Sequence, residues 1–586
     1  MFFSSHHWIF NKALKPITGF ALMTAGMALG LSACVAPQHA GFSNLETQAI
    51  VKDAPQYQDG RNKSGFASYL IAREAVREND IARAADEFAL TLANNPTNIK
   101  LMRVAFSTHY INGDIDKAAL LASQIEQRGE SVTFGSEPAL ILAMESHDYD
   151  GMLVLADHLH ADDLSRPLGI IAGAWALILQ GQGDAGLTRL LELKTPEAKM
   201  APYAVFSQLA FMNEYLGRPE DAAAAALMAI DHPEVNIAVI MNMAGVLARQ
   251  GYLEQARDIL EDKLNQLFDK DKILPAVMAE TSPILKRPKI SDLFAEAIVE
   301  AAFVLRDASI STSARLFLAE RLAPENDRVN YALGLYFQDL ENFDKATSYF
   351  NRIQSDSLWY QPKQFIIARQ LSFDDENQKA AKSIFETLIK NNPSSETVWR
   401  QSADAARRRG DFETALGYYE KALALNPDRA RLYYSKAIIH DNLGHKSETE
   451  EALRRAVTLN PEDSYALNYL GYWLLEEGGD PNEALGYIRK AIEKKPQNGY
   501  FMDSLGWGFY KLGQYRQAVL YLERAVNLEP VDPIITDHLG DAYAKMGRVR
   551  EAHYQWERAL LFEPENDLRL QILDKLEHGL IDEGTE

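Results

Sequence analysis

The apolar residues of this chain recur with a helical period, and one arrangement of them returns about every 34 residues along the C-terminal third. In one unit, Leu505, Gly506 and Phe509 make an apolar stripe on a first helix, and Ala518 and Leu522 make a stripe on a second. Spacings of three and four residues predict amphipathic helices. Neither stripe can be buried by one pair alone, so the pattern predicts that successive helix pairs stack into a superhelix.

Six prolines mark the period of the repeat. Successive prolines are 34 or 35 residues apart, and an Ala or Thr stands twelve residues before each. Four residues after that small residue comes a large apolar or aromatic side chain. The regularity over six cycles predicts repeated architecture from these prolines: Pro393, Pro427, Pro461, Pro496, Pro530 and Pro564.

These units resemble the tetratricopeptide repeat, whose pattern is W-x2-L-G-x2-Y, then A-x3-F, then Pro. Trp399, Ala403, Gly410, Ala415 and Tyr419 match it closely. The resemblance implies an all-α fold, an α-solenoid of helix-turn-helix units. Over roughly the last 170 residues, "DSLGW", "DHLGD" and "WERAL" also resemble the bacterial outer-membrane repeat lipoproteins that bring substrates to a processing protease.

Upstream the repeat decays, and its rhythm fails where three prolines cluster. The break predicts either a boundary between two superhelical blocks or a long inter-helix loop within one array. The predicted segments are a signal peptide at 1–33, a tether at 34–63, degenerate repeats at 64–265, a linker at 266–290, helical repeats at 291–394, well-formed repeats at 395–564, and a capping helix with an acidic tail at 565–586.

The N-terminus carries the features of a secretory signal. Two lysines precede an apolar run from Ile17 to Leu31, and Cys34, the only cysteine of the chain, follows it closely. The run is too short for a comfortable membrane span. Its end resembles a bacterial lipobox, which implies lipidation of Cys34. A plain signal peptide or an uncleaved anchor is the alternative. Because Val35 is not Asp, the resemblance favours an outer-membrane lipoprotein that faces the periplasm of the bacterial cell envelope.

Charge and motifs exclude several classes of function. A net charge of −22 argues against a nucleic-acid binder, which needs basic patches to displace counterions. A single cysteine excludes an intramolecular disulfide and Cys-based zinc sites. The sequence contains no phosphate loop, dinucleotide fingerprint, G-x-S-x-G elbow or H-E-x-x-H helix. We therefore expect no catalytic residue, metal or cofactor and no small-molecule substrate, and we predict that the protein is not an enzyme.

The resemblance implies that the first helices of successive units line a groove. Their face opposite the packing signature carries aromatic and acidic residues, and Tyr and Trp dominate protein interfaces. The rings could instead pad adjacent helices. In the unit that precedes the one containing Tyr434, the same face of the first helix carries Arg400, Asp404 and Arg407. The ten residues that we predict to contact a partner, here called the inner stripe, are Tyr434, Tyr465, Asn468, Tyr472, Tyr500, Asp503, Trp507, Tyr510, Asp537 and Asp541.

Two functions agree with these features. The first is a lipid-anchored adaptor that holds an extended segment or helix of a partner protein and delivers substrates to a periplasmic processing protease. The second is a structural component of a secretion, pilus or exopolysaccharide machine. The sequence does not name the partner.

Overall fold

A computed structural model describes residues 63–160, 164–194, 201–233, 235–263, 285–304, 309–355, 357, 359–374 and 376–580. These residues form 29 α-helices, one short 3₁₀ helix and no strand. The predicted all-α fold is therefore confirmed. Cys34, the predicted signal peptide and the acidic end of the chain lie outside the described residues. No helix within the described ranges is long and apolar enough to cross a membrane.

The helices of the first half are short and follow one another in pairs. They are α1 Lys63–Arg77, α2 Ile81–Ala93, α3 Ile99–Asn112, α4 Ile115–Glu126, α5 Ser136–Glu145, α6 Tyr149–His160, α7 Arg166–Leu179, α8 Gly183–Leu190, α9 Pro202–Tyr215, α10 Pro219–Ile230, α11 Ile237–Arg249, α12 Leu253–Lys263, α13 Ile290–Val304, α14 Ser309–Leu322, α15 Asp327–Asp339 and α16 Phe343–Arg352.

The helices of the second half continue the pairing with more uniform lengths. They are α17 Tyr360–Leu371, α18 Gln378–Asn391, α19 Glu396–Arg408, α20 Phe412–Leu425, α21 Ala430–Asn442, α22 Lys446–Leu459, α23 Ser464–Glu476, α24 Pro481–Lys494, α25 Gly499–Lys511, α26 Tyr515–Leu528, α27 Pro533–Lys545, α28 Val549–Leu561 and α29 Asn566–His578.

The small residues of the repeat pattern lie where the two helices of a pair meet. A Cβ atom added to Gly506 of α25 would lie 2.7 Å from Cγ of Leu522 on α26. A Cβ added to Gly540 of α27 would lie 2.5 Å from the Trp556 ring on α28. Since no side chain fits at either glycine without displacing its neighbour, these positions let the paired helices approach closely.

The chain divides into two compact units. Within the described residues, one unit comprises residues 63–367 together with residues 390–392, and the other comprises residues 368–389 and 393–580. The division falls within α17, about 80 residues after the break in the repeat rhythm at 266–290. We call them the N-terminal unit and the C-terminal unit.

Inside the N-terminal unit, two helices that follow the break pack back onto earlier ones. Helix α13 lies against α7 and α9, and α14 lies against α3 and α5. All four are first helices of their pairs, so α13 and α14 together cover the inner face of this part of the unit. This arrangement explains why residues 290–322 belong to the same compact unit as the degenerate repeats that precede them.

Buried polar contacts fix these two helices in place. Arg315 of α14 donates to Glu137 of α5 at 2.6 Å, and both side chains are buried. Glu137 also accepts hydrogen bonds from the hydroxyls of Tyr110 and Ser165. On α13, Glu300 accepts a hydrogen bond from the Tyr203 hydroxyl at 3.2 Å. A buried carboxylate with several donors is compensated for its loss of water.

Candidate partner-binding stripe

The inner stripe lies on α21, α23, α25 and α27, and most of its residues are shielded from solvent. Successive first helices contact one another directly, α23 with α25 and α25 with α27, which explains the shielding. Tyr465 is 38% exposed. Four residues are half-buried, namely Tyr434, Tyr500, Trp507 and Tyr510, and five are buried, namely Asn468, Tyr472, Asp503, Asp537 and Asp541. The role of the stripe in binding a partner remains a prediction.

Trp507 stands at the centre of a stack of three rings. Its ring lies parallel to Tyr510, with centroids 4.6 Å apart, and nearly parallel to His538 of the next first helix, with centroids 4.0 Å apart. Its indole Nε1 donates to Oε1 of Glu476 at 2.6 Å. Since two rings stack against the indole and a carboxylate holds its N–H, the indole is fixed in one orientation and remains partly open to solvent.

The histidine of this stack is tied to the acidic residues around it. His538 Nδ1 lies 2.9 Å from Oδ1 of Asp503. Burial lowers the pKa of His538, but Asp503, Asp537 and Asp541 outweigh burial and raise it above its usual value. An opposite charge at hydrogen-bond distance favours the protonated imidazole. The contact therefore links α25 to α27 through an ion pair that strengthens as the histidine takes up its proton.

The last two residues of the stripe already hold a cation from the chain itself. Nζ of Lys575, on the C-terminal helix α29, lies 2.7 Å from Oδ2 of Asp537 and 2.8 Å from Oδ2 of Asp541. The indole of Trp556 donates to the other oxygen of Asp541 at 2.9 Å. Burial and the neighbouring Asp537 raise the pKa of Asp541 to about 6, although Lys575 opposes this rise. The predicted partner contacts Asp537 and Asp541 are thus occupied by α29.

Earlier in the stripe, the contacts are made between rings and hydroxyls. Tyr434 packs edge-on against Tyr469, with centroids 5.9 Å apart, and the Tyr469 hydroxyl donates to Asp441 at 2.8 Å. Burial and the carboxylates of Glu476 and Asp503 raise the pKa of Tyr472, so this tyrosine stays a neutral donor. The rings of this segment therefore pack against neighbouring helices, which is the alternative that the sequence left open.

Sequence reasoning missed three residues that complete the stripe: Glu476, His538 and Lys575. His538 directly precedes the Leu-Gly pair of its unit, as Tyr469 does in an earlier unit. Each of the two contacts the residue 35 positions before it, which is a member of the inner stripe. The position before Leu-Gly is therefore a usable signal for contact between repeats. Lys575 carries no comparable signal.

The described residues contain no group of three or more His, Cys, Asp or Glu side chains that could hold a metal ion. The side chains of the stripe offer aromatic surface, hydrogen-bonding groups and charge. Such groups suit recognition of another protein segment.

Comparison with known proteins relates part of the chain to a known repeat family. Tetratricopeptide-repeat models match residues 396–439, 434–499 and 504–567. The matched part of the chain therefore consists of tetratricopeptide repeats. The matched residues run from α19 to the start of α29 and include every residue of the inner stripe except Tyr500 and Asp503. Proteins of this kind act as scaffolds for protein–protein interaction and are generally non-catalytic.

The similar proteins match only part of the chain. A tetratricopeptide-repeat protein of Pseudomonas aeruginosa is 28% identical over 116 residues, which are 20% of this chain and 20% of that protein. A lipoprotein NlpI homolog of Haemophilus influenzae is 33% identical over 94 residues, 16% of this chain and 29% of that protein. The solved structure of TTC0263, a thermophilic tetratricopeptide-repeat protein of Thermus thermophilus, is 25% identical and covers 31% of this chain and 100% of its own, with a TM-score of 0.28. The chain spans less than a third of either curated relative.

Proposed function

We propose that this protein is a non-catalytic adaptor of the bacterial envelope that binds a segment of a partner protein along the inner stripe. The observation that supports this proposal most strongly is the fixed stack around Trp507. Rings held in place before binding lose little conformational entropy when a partner covers their edges. Tyr465, Tyr500 and Tyr510 add partly open aromatic surface on the same face, and Tyr and Trp are the side chains that contribute most at protein interfaces.

The inner face of the N-terminal unit is covered, which also supports placing the partner on the C-terminal unit. Its own helices α13 and α14 cover the inner face made by α3, α5, α7 and α9. A partner segment would have to displace buried ion pairs such as Arg315–Glu137 to reach that face. The inner stripe of the C-terminal unit keeps aromatic edges open to solvent, so we place the partner there.

The proposal includes a membrane anchor and a destination for the partner. The lipobox-like end of the N-terminal segment supports lipidation at Cys34, and the Haemophilus relative is by name a lipoprotein. We place the protein on the outer membrane, facing the periplasm. The resemblance of the C-terminal repeats to outer-membrane repeat lipoproteins supports the delivery of substrates to a periplasmic processing protease.

Capture of a partner tests the stripe. We expect Tyr465→Ala and Trp507→Ala in the full-length protein to lower affinity for the captured partner by about 2 kcal/mol, about thirtyfold, because each removes an aromatic contact. Partners recovered from envelope extract by the wild type would be identified, purified and titrated against each variant. Tyr465 is exposed, so Tyr465→Ala carries the test if Trp507→Ala disturbs the stack.

The matched control is Tyr554→Ala, which removes a ring that is 62% exposed on the second helix α28. This variant should bind like the wild type. If all three variants bind equally, the partner lies elsewhere and the proposed stripe is wrong. Recovery of a protease with cell-wall hydrolases supports the adaptor, whereas a channel or pilus subunit would indicate the alternative assembly role.

The anchor has its own test. We expect Cys34→Ser to move the protein from the membrane fraction to the soluble periplasmic fraction, because stable anchoring depends on acyl chains attached at that residue. Fractionation followed by immunoblotting measures the shift, and circular dichroism checks that the helical content is unchanged. By the resemblance, Val35→Asp should instead move the protein to the inner membrane. An unaltered distribution of Cys34→Ser would rule out the lipoprotein.

A further inference from the structure

Three consecutive arginines, residues 407–409, lie at the C-terminal end of α19 and its C-cap, in a chain whose net charge is −22. Positive side chains are favoured at the C-terminal end of a helix by its dipole, which explains part of this grouping. Arg409 also lies 3.9 Å from Asp411, and Arg408 donates to the Ser372 hydroxyl at 2.7 Å and covers the Phe373 ring. These contacts position the cluster but leave its charge largely uncompensated.

Arg407 is the member of the cluster that belongs to the face of the inner stripe. Among the residues that the structure describes, no carboxylate lies within 4 Å of its guanidinium. Asp404, three residues earlier, already accepts a hydrogen bond from the Tyr419 hydroxyl. Burial lowers the pKa of Arg407, but Tyr419 and Asp404 outweigh burial and raise it. The side chain is therefore a fixed cation.

Buried donors of the cluster lack acceptors. In the described part of the chain, Nε of Arg407, Nε of Arg408 and Nη1 of Arg409 make no hydrogen bond. A buried N–H without an acceptor is unfavourable, so the hydrogen-bonding capacity of these guanidinium groups is not fully used within the chain. Burial lowers the pKa of Arg408 to about 10, and Arg407 contributes to that shift while Asp404 opposes it.

The opposite end of the stripe differs, because its acids already have cations or donors. His538 pairs with Asp503, and Lys575 pairs with Asp537 and Asp541. Glu476 accepts from Trp507 and lies 3.4 Å from Lys511. Among these described residues, the acids of α23, α25 and α27 are thus compensated within the chain, whereas Arg407 of α19 makes no ion pair within 4 Å.

We propose that Arg407 and Arg408 bind carboxylate side chains of the partner segment, which therefore carries an acidic stretch at the α19 end of the stripe and apolar residues towards Trp507. This inference rests on the proposed function and adds the chemistry and direction of the bound segment. Arginine suits the task because its planar guanidinium donates two parallel hydrogen bonds to one carboxylate. Because α19 carries the arginines and α27 carries the carboxylates of Asp537 and Asp541, the reversed orientation, with the acidic stretch of the partner at α27, is disfavoured.

Selection of peptides on the full-length protein tests the proposal. Random displayed peptides would be selected for binding, and a selected sequence would be synthesised with an amidated C terminus and with a twin in which Gln replaces each Glu and Asp. We expect the selected peptides to be enriched in Glu and Asp. The acidic peptide should bind about tenfold more tightly than its twin, and Arg407→Gln should abolish that difference. Added salt should weaken the acidic peptide more than the twin.

Arg516→Gln is the matched control, since Arg516 is exposed on the second helix α26. Equal losses for Arg407→Gln and Arg516→Gln would reduce the effect to net charge and overturn the proposal. Selected peptides without acidic residues, or acidic peptides indifferent to Arg407→Gln, would also overturn it. In that case, loss of binding in Tyr465→Ala would leave the proposed function standing. Indifference to both variants, or no selected peptide at all, would count against the inner stripe itself.

Discussion

Replacing Arg315 by methionine is expected to lower the free energy of unfolding of the N-terminal unit by about 3–5 kcal/mol. Arg315 and Glu137 are 1% and 0% exposed, and their closest atoms are 2.6 Å apart. Methionine preserves much of the apolar volume, but it leaves a carboxylate buried without its cation. The hydroxyls of Tyr110 and Ser165 are too weak as donors to replace an ion pair. Urea unfolding combined with hydrogen exchange at α5 and α14 measures the effect.

The control for this variant lies on the same helix. Arg321 is 43% exposed and pairs with Glu145 at 2.8 Å, and exposed pairs contribute about 0–1 kcal/mol. Arg321→Met should therefore cost less than about 1 kcal/mol. Equal losses for Arg315→Met and Arg321→Met would contradict the importance of the buried pair. Adding Glu137→Leu to Arg315→Met should recover part of the stability, because the stranded charge is then removed as well.

Lys575→Met should destabilise the C-terminal unit by about 3–5 kcal/mol for the same physical reason. Asp537 and Asp541 are 6% and 8% exposed in their side chains, and Lys575 is the cation that contacts both. Its removal leaves two buried carboxylates side by side. Arg569→Met, at an exposed position of the same helix, should change stability by less than about 0.5 kcal/mol. Thermal unfolding of the two variants at neutral pH provides the comparison.

The loss in Lys575→Met should also depend on pH. Burial and Asp537 raise the pKa of Asp541 to about 6 in the folded protein, whereas an unfolded aspartate titrates near 3.9. A raised folded pKa stabilises the fold at low pH, and that contribution disappears as the pH rises through about 4 to 6. Since Lys575 opposes the rise, its removal should enlarge this effect. If the Lys575→Met variant were more stable at neutral pH than at pH 5, this would contradict the buried acidic pair. The other groups that face this pair are His538 and Trp556.

The C-terminal repeats could be predicted from the sequence because their signals are local. Gly506 and Gly540 occupy positions where no larger side chain fits against the second helix, and the same spacing returns in each unit. The path of α13 and α14 could not be predicted this way. Contacts such as Arg315–Glu137 join residues 178 positions apart, and the charged residues involved resemble any solvent-exposed pair on a helix.

The aromatic positions of the candidate site could also be predicted, but their degree of burial could not. Helical periodicity places Trp507 on the face opposite the packing signature, and it indicates nothing about the next first helix that covers it. His538 lies one repeat later and Lys575 lies on the capping helix, so their contacts with the stripe are tertiary. The capping helix α29 shows the same limit, because Leu568 and Ile572 are buried whereas the neighbouring Leu573, which is equally apolar, is 44% exposed.

The packing of α13 and α14 onto the first helices changes how the N-terminal unit can fold. In an ordinary solenoid each repeat contacts only its neighbours, so structure can spread along the chain as synthesis proceeds. Here the inner face of α3, α5, α7 and α9 stays open until residues 290–322 have left the ribosome. The closing contacts join residues 178 positions apart in Arg315–Glu137 and 205 apart in Arg321–Asp116, and contacts of such range slow folding. The nascent N-terminal unit therefore passes through a stage with exposed apolar helices, which is the stage at which association with other chains competes with folding.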